Sequence, residues 1–83
     1  MSTPHPVDLV LAKALRAERQ RAALTQAVAA VRAGLAVVTV QRAELCGSVS
    51  PRTLGALARV YGVSVDDLRG RRRDQIAADG IVR

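Results

Sequence analysis

The chain has 83 residues, a formal net charge of +6 and a sequence pI near 11.3. It contains one cysteine, one histidine and one tyrosine, and neither tryptophan nor phenylalanine. These counts exclude an internal disulfide and leave no base beside a nucleophile and no set of metal ligands. We therefore expect a single small domain with a core of Ala, Val and Leu, no enzymatic activity and no cofactor or metal.

The basic excess favours a polyanionic partner, which is DNA, RNA or an anionic membrane. Twelve of the thirteen basic residues are arginine, and Lys13 is the only lysine. A GC-rich genome is an alternative explanation for that ratio, although not for the net charge. No run reaches the roughly 18 apolar residues of a membrane span, and the N-terminus does not have the pattern of a signal peptide. We expect a soluble, cytoplasmic protein without a membrane partner.

The first predicted helix follows a flexible lead-in over residues 1–7, whose two prolines disfavour regular structure. It begins at Val7 or Asp8 and continues to about Ala22. Its apolar face comprises Leu11, Ala14, Leu15 and Ala22, whereas the charged side chains, Glu18 and Arg19 among them, lie off that face.

Two short helices are predicted next, joined by a tight turn. Helix 2 has Thr25 as its N-cap, runs from Gln26 to about Arg32, and ends at Gly34, where a left-handed residue is needed. Helix 3 covers roughly Val37 to Leu45. Its inward residues are Val40 and Ala43, and its outward residues are Val37, Val38, Gln41 and Arg42.

Two further helices complete the predicted all-α, five-helix domain over residues 8–69. Residues 47–50 form a loop, Ser50 caps helix 4 and Pro51 opens it. The buried stripe of helix 4 is Leu54, Leu57, Ala58 and Tyr61, before Gly62 ends the helix. Ser64 caps helix 5. Residues 70–83 form a basic C-terminal tail, whose apolar residues either dock as a dimer arm or remain loose: Ile76, Ala77, Ile81 and Val82.

Several of these residues, taken in order and spacing, resemble a known family. They are Leu24-Thr25-Gln26, Gly34, Val40, Glu44, Pro51, Leu54, Leu57, Ala58 and the run from Gly62 to Leu68. The pattern is similar to the lambdoid phage repressor and Cro family, which includes the xenobiotic-response-element regulators, and covers about Leu9 to Leu68. The resemblance implies a five-helix fold with helices 2 and 3 as a helix-turn-helix, and binding of double-stranded operator DNA as a two-fold dimer.

The resemblance also implies roles for individual residues. Gln26 matches a glutamine that contacts the DNA backbone, Val37 and Val38 match the first exposed recognition positions, and Gln41 and Arg42 match those one turn later. The loop from Gly47 to Arg52 matches one that touches phosphates. The implied DNA-binding set is Gln26, Val37, Val38, Thr39, Gln41, Arg42 and Arg52.

The chain departs from the family pattern at several positions. Val37 and Val38 are apolar where polar residues are usual, and three interpretations are open: contact with thymine methyl groups, contact with a protein, or a helix phase that buries one valine. Ala36 replaces the usual cap of helix 3. Cys46 takes the place of a glycine, and Gly47 follows one position late. Ala23 stands where a glycine often precedes the Leu-Thr-Gln motif.

The alternatives for single residues remain open as well. Arg42 either contacts a base or phosphate, pairs with Glu44 or Glu18, or is solvated. Cys46 is expected to be a free thiol in a loop. For the whole chain, the sequence predicts a DNA-binding transcriptional regulator. The alternative is a protein-interaction module, or a toxin-binding antitoxin, built on the same scaffold.

Overall fold

A computed structural model of the chain describes residues 5–70, which form an all-α domain. Its first four helices are α1 (Leu9–Arg21), α2 (Gln26–Ala33), α3 (Val37–Cys46) and α4 (Pro51–Tyr61). A fifth helix, α5, covers residues 65–70. The predicted five-helix, all-α architecture is confirmed. Most of the predicted basic tail lies outside the described residues, including the consecutive arginines Arg71, Arg72 and Arg73 and the predicted dimer arm.

Four of the five helices begin with a side chain that accepts a hydrogen bond from a backbone N–H three residues later. The pairs are Asp8 with Leu11 (3.0 Å), Thr25 with Val28 (3.1 Å), Ser50 with Thr53 (3.2 Å) and Ser64 with Asp67 (2.9 Å). Such caps satisfy N–H groups that have no partner inside the helix. The predicted caps of α2, α4 and α5 are therefore confirmed.

The end of α3 differs from the prediction for Cys46. This residue is the last of the helix rather than part of a loop, and its thiol donates to the Arg42 carbonyl at 3.4 Å. The helix is one residue longer than predicted because the left-handed C-cap is Gly47, at φ 71°. A Cβ at Gly47 would also collide with the backbone carbonyl of Asp8. Gly47, one position later than in the family pattern, is thus required both by the end of the helix and by the backbone of Asp8, which passes close to it.

The core lies between the helices and is aliphatic, as the composition predicts. Its largest fully buried side chains are Leu11, Leu15, Val40, Leu54, Leu57 and Leu68. Helix α3 packs against α1 and α2, and α4 packs against both of these helices. None of the described helices is both long and apolar enough to span a bilayer.

Two charged residues of α1 are more buried than predicted. Glu18 is only 6% exposed and Arg19 is half-buried, although both were placed off the buried face. Glu18 accepts a hydrogen bond from Arg21 Nε at 2.8 Å, and Arg19 pairs with a carboxylate of α3. Pairing of this kind offsets the loss of water around a buried charge. Helical spacing alone does not reveal such pairing, so it places both residues at the surface.

The connection from α1 to α2 contains a strained residue. Ala23 has φ 60° and is the one non-glycine residue with a positive φ in the described range. In this region the Cβ crowds the carbonyl that follows, which costs roughly 1–2 kcal/mol. The position is therefore one that glycine would fill without strain.

Candidate nucleic-acid interface

A tight turn joins α2 to α3. Gly34 adopts the left-handed conformation at φ 70°, as predicted, and its N–H reaches the carbonyls of the last turn of α2. The N–H of Leu35 donates to the Ala30 carbonyl at 2.9 Å, and the Leu35 side chain packs on the core. This glycine cap with its apolar anchor fixes the direction in which α3 leaves the turn. Helices α2 and α3 form the helix-turn-helix.

One face of α3 is fixed in the core. Val40 and Ala43 are completely buried, so the opposite face of the helix is directed to solvent. That face, which we call the reading face, comprises Val37, Val38, Gln41, Arg42 and Leu45, all exposed. Neither valine is buried, at 41% and 52% exposure, which overturns the alternative helix phase. Thr39 is half-buried beside this face.

Arg42 is not paired with Glu44 or Glu18, the two acidic residues that the sequence offers as its intramolecular partners. Within residues 5–70, ion pairs join Arg19 to Glu44 and Arg21 to Glu18, and Arg42 takes part in neither. Because both candidate carboxylates pair elsewhere, the Arg42 guanidinium stands exposed on the reading face. A planar guanidinium in such a position can bind guanine O6 and N7 together.

The carboxylate of Glu44 links three helices. Arg19 of α1 donates to it twice, at 2.6 Å from Nε to Oε2 and at 2.9 Å from Nη2 to Oε1. Gln26, the first residue of α2, donates from Nε2 to Oε1 at 3.2 Å. The ion-paired side chains retain only 13% and 5% exposure. The network joins the start of α2 to the last turn of α3, the pair of elements that the helix-turn-helix must hold at a fixed angle.

The same network affects two pKa values. The hydrogen bonds that Arg19 donates to Glu44 raise the pKa of the Arg19 guanidinium above its ordinary value, so the guanidinium stays charged. Burial, with a smaller contribution from the Glu44 charge, raises the pKa of the Tyr61 hydroxyl to about 12. That hydroxyl has no hydrogen-bond partner among the described residues. Both groups therefore keep their neutral-pH protonation states across the physiological range.

The N-terminal segment before α1 lies against the end of α3. The N–H of Asp8 donates to the Cys46 carbonyl at 2.8 Å, and Ser48 Oγ donates to the His5 carbonyl at 2.5 Å. These contacts tie residues 5–8 to the loop that precedes α4. Arg52, in the first turn of α4, is exposed just beyond that loop. The exposed polar side chains of the predicted DNA-binding set are Gln41, Arg42 and Arg52, whereas Gln26 is half-buried.

A comparison with protein families matches a family described as "Helix-turn-helix domain" over residues 10–77, about four fifths of the chain. The chain belongs to the helix-turn-helix domain family. Membership agrees with the geometry of α2, the Gly34 turn and α3, and it indicates a DNA-binding regulator, since domains of this kind place their second helix in the DNA major groove. A comparison with curated proteins finds no match.

Two features of this helix-turn-helix domain were not foreseen. Arg19 is predicted from helical spacing only to lie off the apolar face of the first helix, yet it is the main partner of Glu44, 25 residues away. Leu45 is 78% exposed at the end of the reading face and was not assigned a role. The helical spacing of Val38, Arg42 and Leu45 would have placed all three on one face. No local pattern would have identified the pairing of Arg19 with Glu44.

Proposed function

We propose that the protein is a sequence-specific transcriptional regulator of the phage repressor and Cro type, or a small bacterial regulator of the xenobiotic-response-element type. It binds a palindromic operator as a homodimer and inserts α3 into the major groove. The observation that carries the proposal is the reading face, where Gln41 and Arg42 are exposed over a fully buried inner face. A net charge of +6 supports attraction to DNA phosphates.

In this proposal the polar residues have separate roles. Arg42 donates to guanine and Gln41 to a neighbouring base, because both stand one turn inside α3 on its exposed side. Gln26 contacts a phosphate at the start of α2 while Glu44 fixes its orientation. Arg52 contacts a phosphate from the first turn of α4. Phosphate contacts position the domain, and base contacts give the choice of sequence.

The small size of the domain and the symmetry of a palindromic site both favour a homodimer. A small aliphatic domain gains stability from association, and two copies of α3 can occupy half-sites about one helical turn of DNA apart. The regulator would act in the cytoplasm, where its lone thiol stays reduced. Light scattering at high protein concentration tests the dimer, and a monomer there would contradict this part of the proposal.

Selection of duplexes from a random library tests the proposal as a whole. We expect an enriched palindrome, and we expect Arg42→Ala to weaken binding to it by roughly 5- to 150-fold for each half-site, the range for one guanine contact, with a smaller loss on random DNA. Arg32→Ala is the matched control, because Arg32 is an exposed arginine beside Arg59 and Val60, away from the reading face. Absence of an enriched sequence would contradict sequence-specific binding.

A second candidate function is binding of a protein partner, such as a toxin, through the reading face. The exposure of Val38 at 52% and of Leu45 at 78% favours it, since apolar side chains of this size are unusual on a surface that serves polar base edges. In that case the selection would enrich no duplex. A neighbouring toxin gene would support this candidate, and a divergent operon with an integrase would support the phage-type regulator.

A further inference from the structure

The reading face carries two parallel rows of side chains. Val37 and Gln41 form one row, and Val38 and Arg42 form the other, because residues four apart lie one above the other on a helix. In both rows an exposed valine precedes a polar side chain that can hydrogen-bond a base. The two valines thus stand at the N-terminal end of α3, which is the part of a recognition helix that approaches base edges most closely.

The two exposed valines are not part of the aliphatic core of the domain. The side chains that α3 packs into the core are Val40 and Ala43, whereas Val37 and Val38 remain 41% and 52% exposed. Leaving such apolar surface exposed forgoes the stabilisation of about 25 cal/mol per Å² that burial provides. A ligand that covers these two side chains with apolar surface would recover it.

Among the base edges in the major groove, one apolar group is available, the C5 methyl of thymine. We propose that α3 reads C5-methylated pyrimidines through Val37 and Val38, while Arg42 and Gln41 hydrogen-bond neighbouring bases. This inference rests on the proposed function and specifies its ligand. One turn of helix rises 5.4 Å and one base step about 3.4 Å. Each half-site should therefore hold a C5 methyl group within about two base pairs of the guanine bound by Arg42.

The same methyl group occurs on two bases. Thymine and 5-methylcytosine both carry it at C5 and present it at the same edge of the groove. Replacing thymine with deoxyuridine removes the methyl group and changes no hydrogen bond. Comparing cytosine with 5-methylcytosine at the same position adds the methyl group, again with no other change. The first substitution tests the methyl group of thymine, and the second tests the methyl group of 5-methylcytosine.

The experiment starts from the enriched palindrome and replaces each thymine with deoxyuridine, one symmetric pair at a time. We expect about a fourfold loss of affinity for each methyl group removed at the contacted position, the amount that burial of one such group supplies. Cytosine placed at that position should gain a similar factor when methylated. At the other positions the loss should be small.

Protein variants identify the side chain responsible. In Val37→Ser or Val38→Ser, the effect of deoxyuridine should disappear at the position that the changed residue contacts, as a double-mutant cycle requires of interacting groups. Val31→Ser is the matched control, since Val31 is 79% exposed on α2, outside the reading face. It should retain the full effect of deoxyuridine.

The outcomes separate this inference from the proposed function. If no sequence is enriched, the proposed function fails and the inference fails with it. If a sequence is enriched but binds equally well with deoxyuridine at every position, or contains no thymine, the inference alone is overturned. The inference is also overturned if both serine variants keep the methyl effect, because the methyl group would then be read by another part of the protein.

Discussion

Arg19 of α1 donates two hydrogen bonds to the carboxylate of Glu44 in α3. Its remaining guanidinium nitrogen donates to the Leu24 carbonyl at 2.8 Å. One side chain thus joins α1, the connection before α2 and the last turn of α3. Gln26 adds a further hydrogen bond to the same carboxylate. The reading face depends on this arrangement, because it fixes α3 relative to the start of α2 and occupies the acidic group nearest to Arg42 in sequence.

Loss of Arg19 should destabilise the domain. In Arg19→Gln the Glu44 carboxylate would remain largely buried with one hydrogen bond in place of three, and we expect the free energy of unfolding to fall by about 2–4 kcal/mol. Arg16→Gln is the matched control on the same helix, because Arg16 is exposed and forms no ion pair within residues 5–70, so its loss should change the free energy of unfolding by at most about 0.5 kcal/mol. Urea denaturation measures both, and equal losses would contradict a special role for Arg19.

The strained residue between α1 and α2 offers a stabilising substitution. In Ala23→Gly the strain at φ 60° is relieved, and after the entropy of a glycine in the unfolded chain is subtracted, a gain of about 0.5–1 kcal/mol remains. Ala17→Gly serves as a control, since Ala17 is exposed within α1 and should lose about 1 kcal/mol. Thermal unfolding that showed a loss for Ala23→Gly would contradict the strain.

The single tyrosine makes its titration directly visible. The chain has no tryptophan, so the near-ultraviolet absorbance of phenolate reports Tyr61 alone. We expect a midpoint near the pKa of about 12 in the folded protein and near 10 in urea.

Folding raises the pKa of Tyr61, so the folded state favours the neutral hydroxyl. The resulting contribution to the free energy of unfolding is fully present below pH 10 and is lost as the pH rises from 10 through about 12. Tyr61→Phe should remove this part of the pH dependence. An ordinary midpoint in the folded protein would contradict the burial of the hydroxyl.

The basic tail is predicted to add affinity without sequence choice. The logarithm of affinity should fall linearly with the logarithm of salt concentration, with a slope of about −0.9 for each phosphate neutralised. Truncation after Gly70 removes Arg71, Arg72 and Arg73 and should reduce the slope by roughly two to three for each protomer. A slope that is unchanged by truncation would show that these arginines do not contact phosphates.

Local rules were sufficient for most of the fold. Thr25, Ser50 and Ser64 cap helices because their hydroxyls satisfy nearby N–H groups, and Gly34 ends α2 because it tolerates a positive φ. Each of these requirements involves residues within four positions of one another, so it can be predicted from the sequence. The outward placement of Val37 and Arg42 follows in the same way, from the burial of Val40 at helical spacing.

The remaining features depend on contacts between distant residues. Glu44 was a candidate partner for Arg42, two positions away, and the pairing with Arg19 is set by how α1 packs on α3. The end of α3 at Cys46 likewise depends on Asp8, whose backbone approaches Gly47 so closely that only glycine fits. Neither relationship is visible before the helices have been placed against one another.

The central claim is that α3 reads bases in the major groove through Arg42, and chemical protection of guanine N7 tests it most directly. Dimethyl sulfate should methylate the enriched palindrome at every guanine except one in each half-site when the protein is bound. Arg42→Ala, at concentrations that saturate the site, should restore methylation of that guanine and leave the other contacts unchanged. If no guanine is protected, or if the variant protects the same guanines as the original protein, the claim is contradicted.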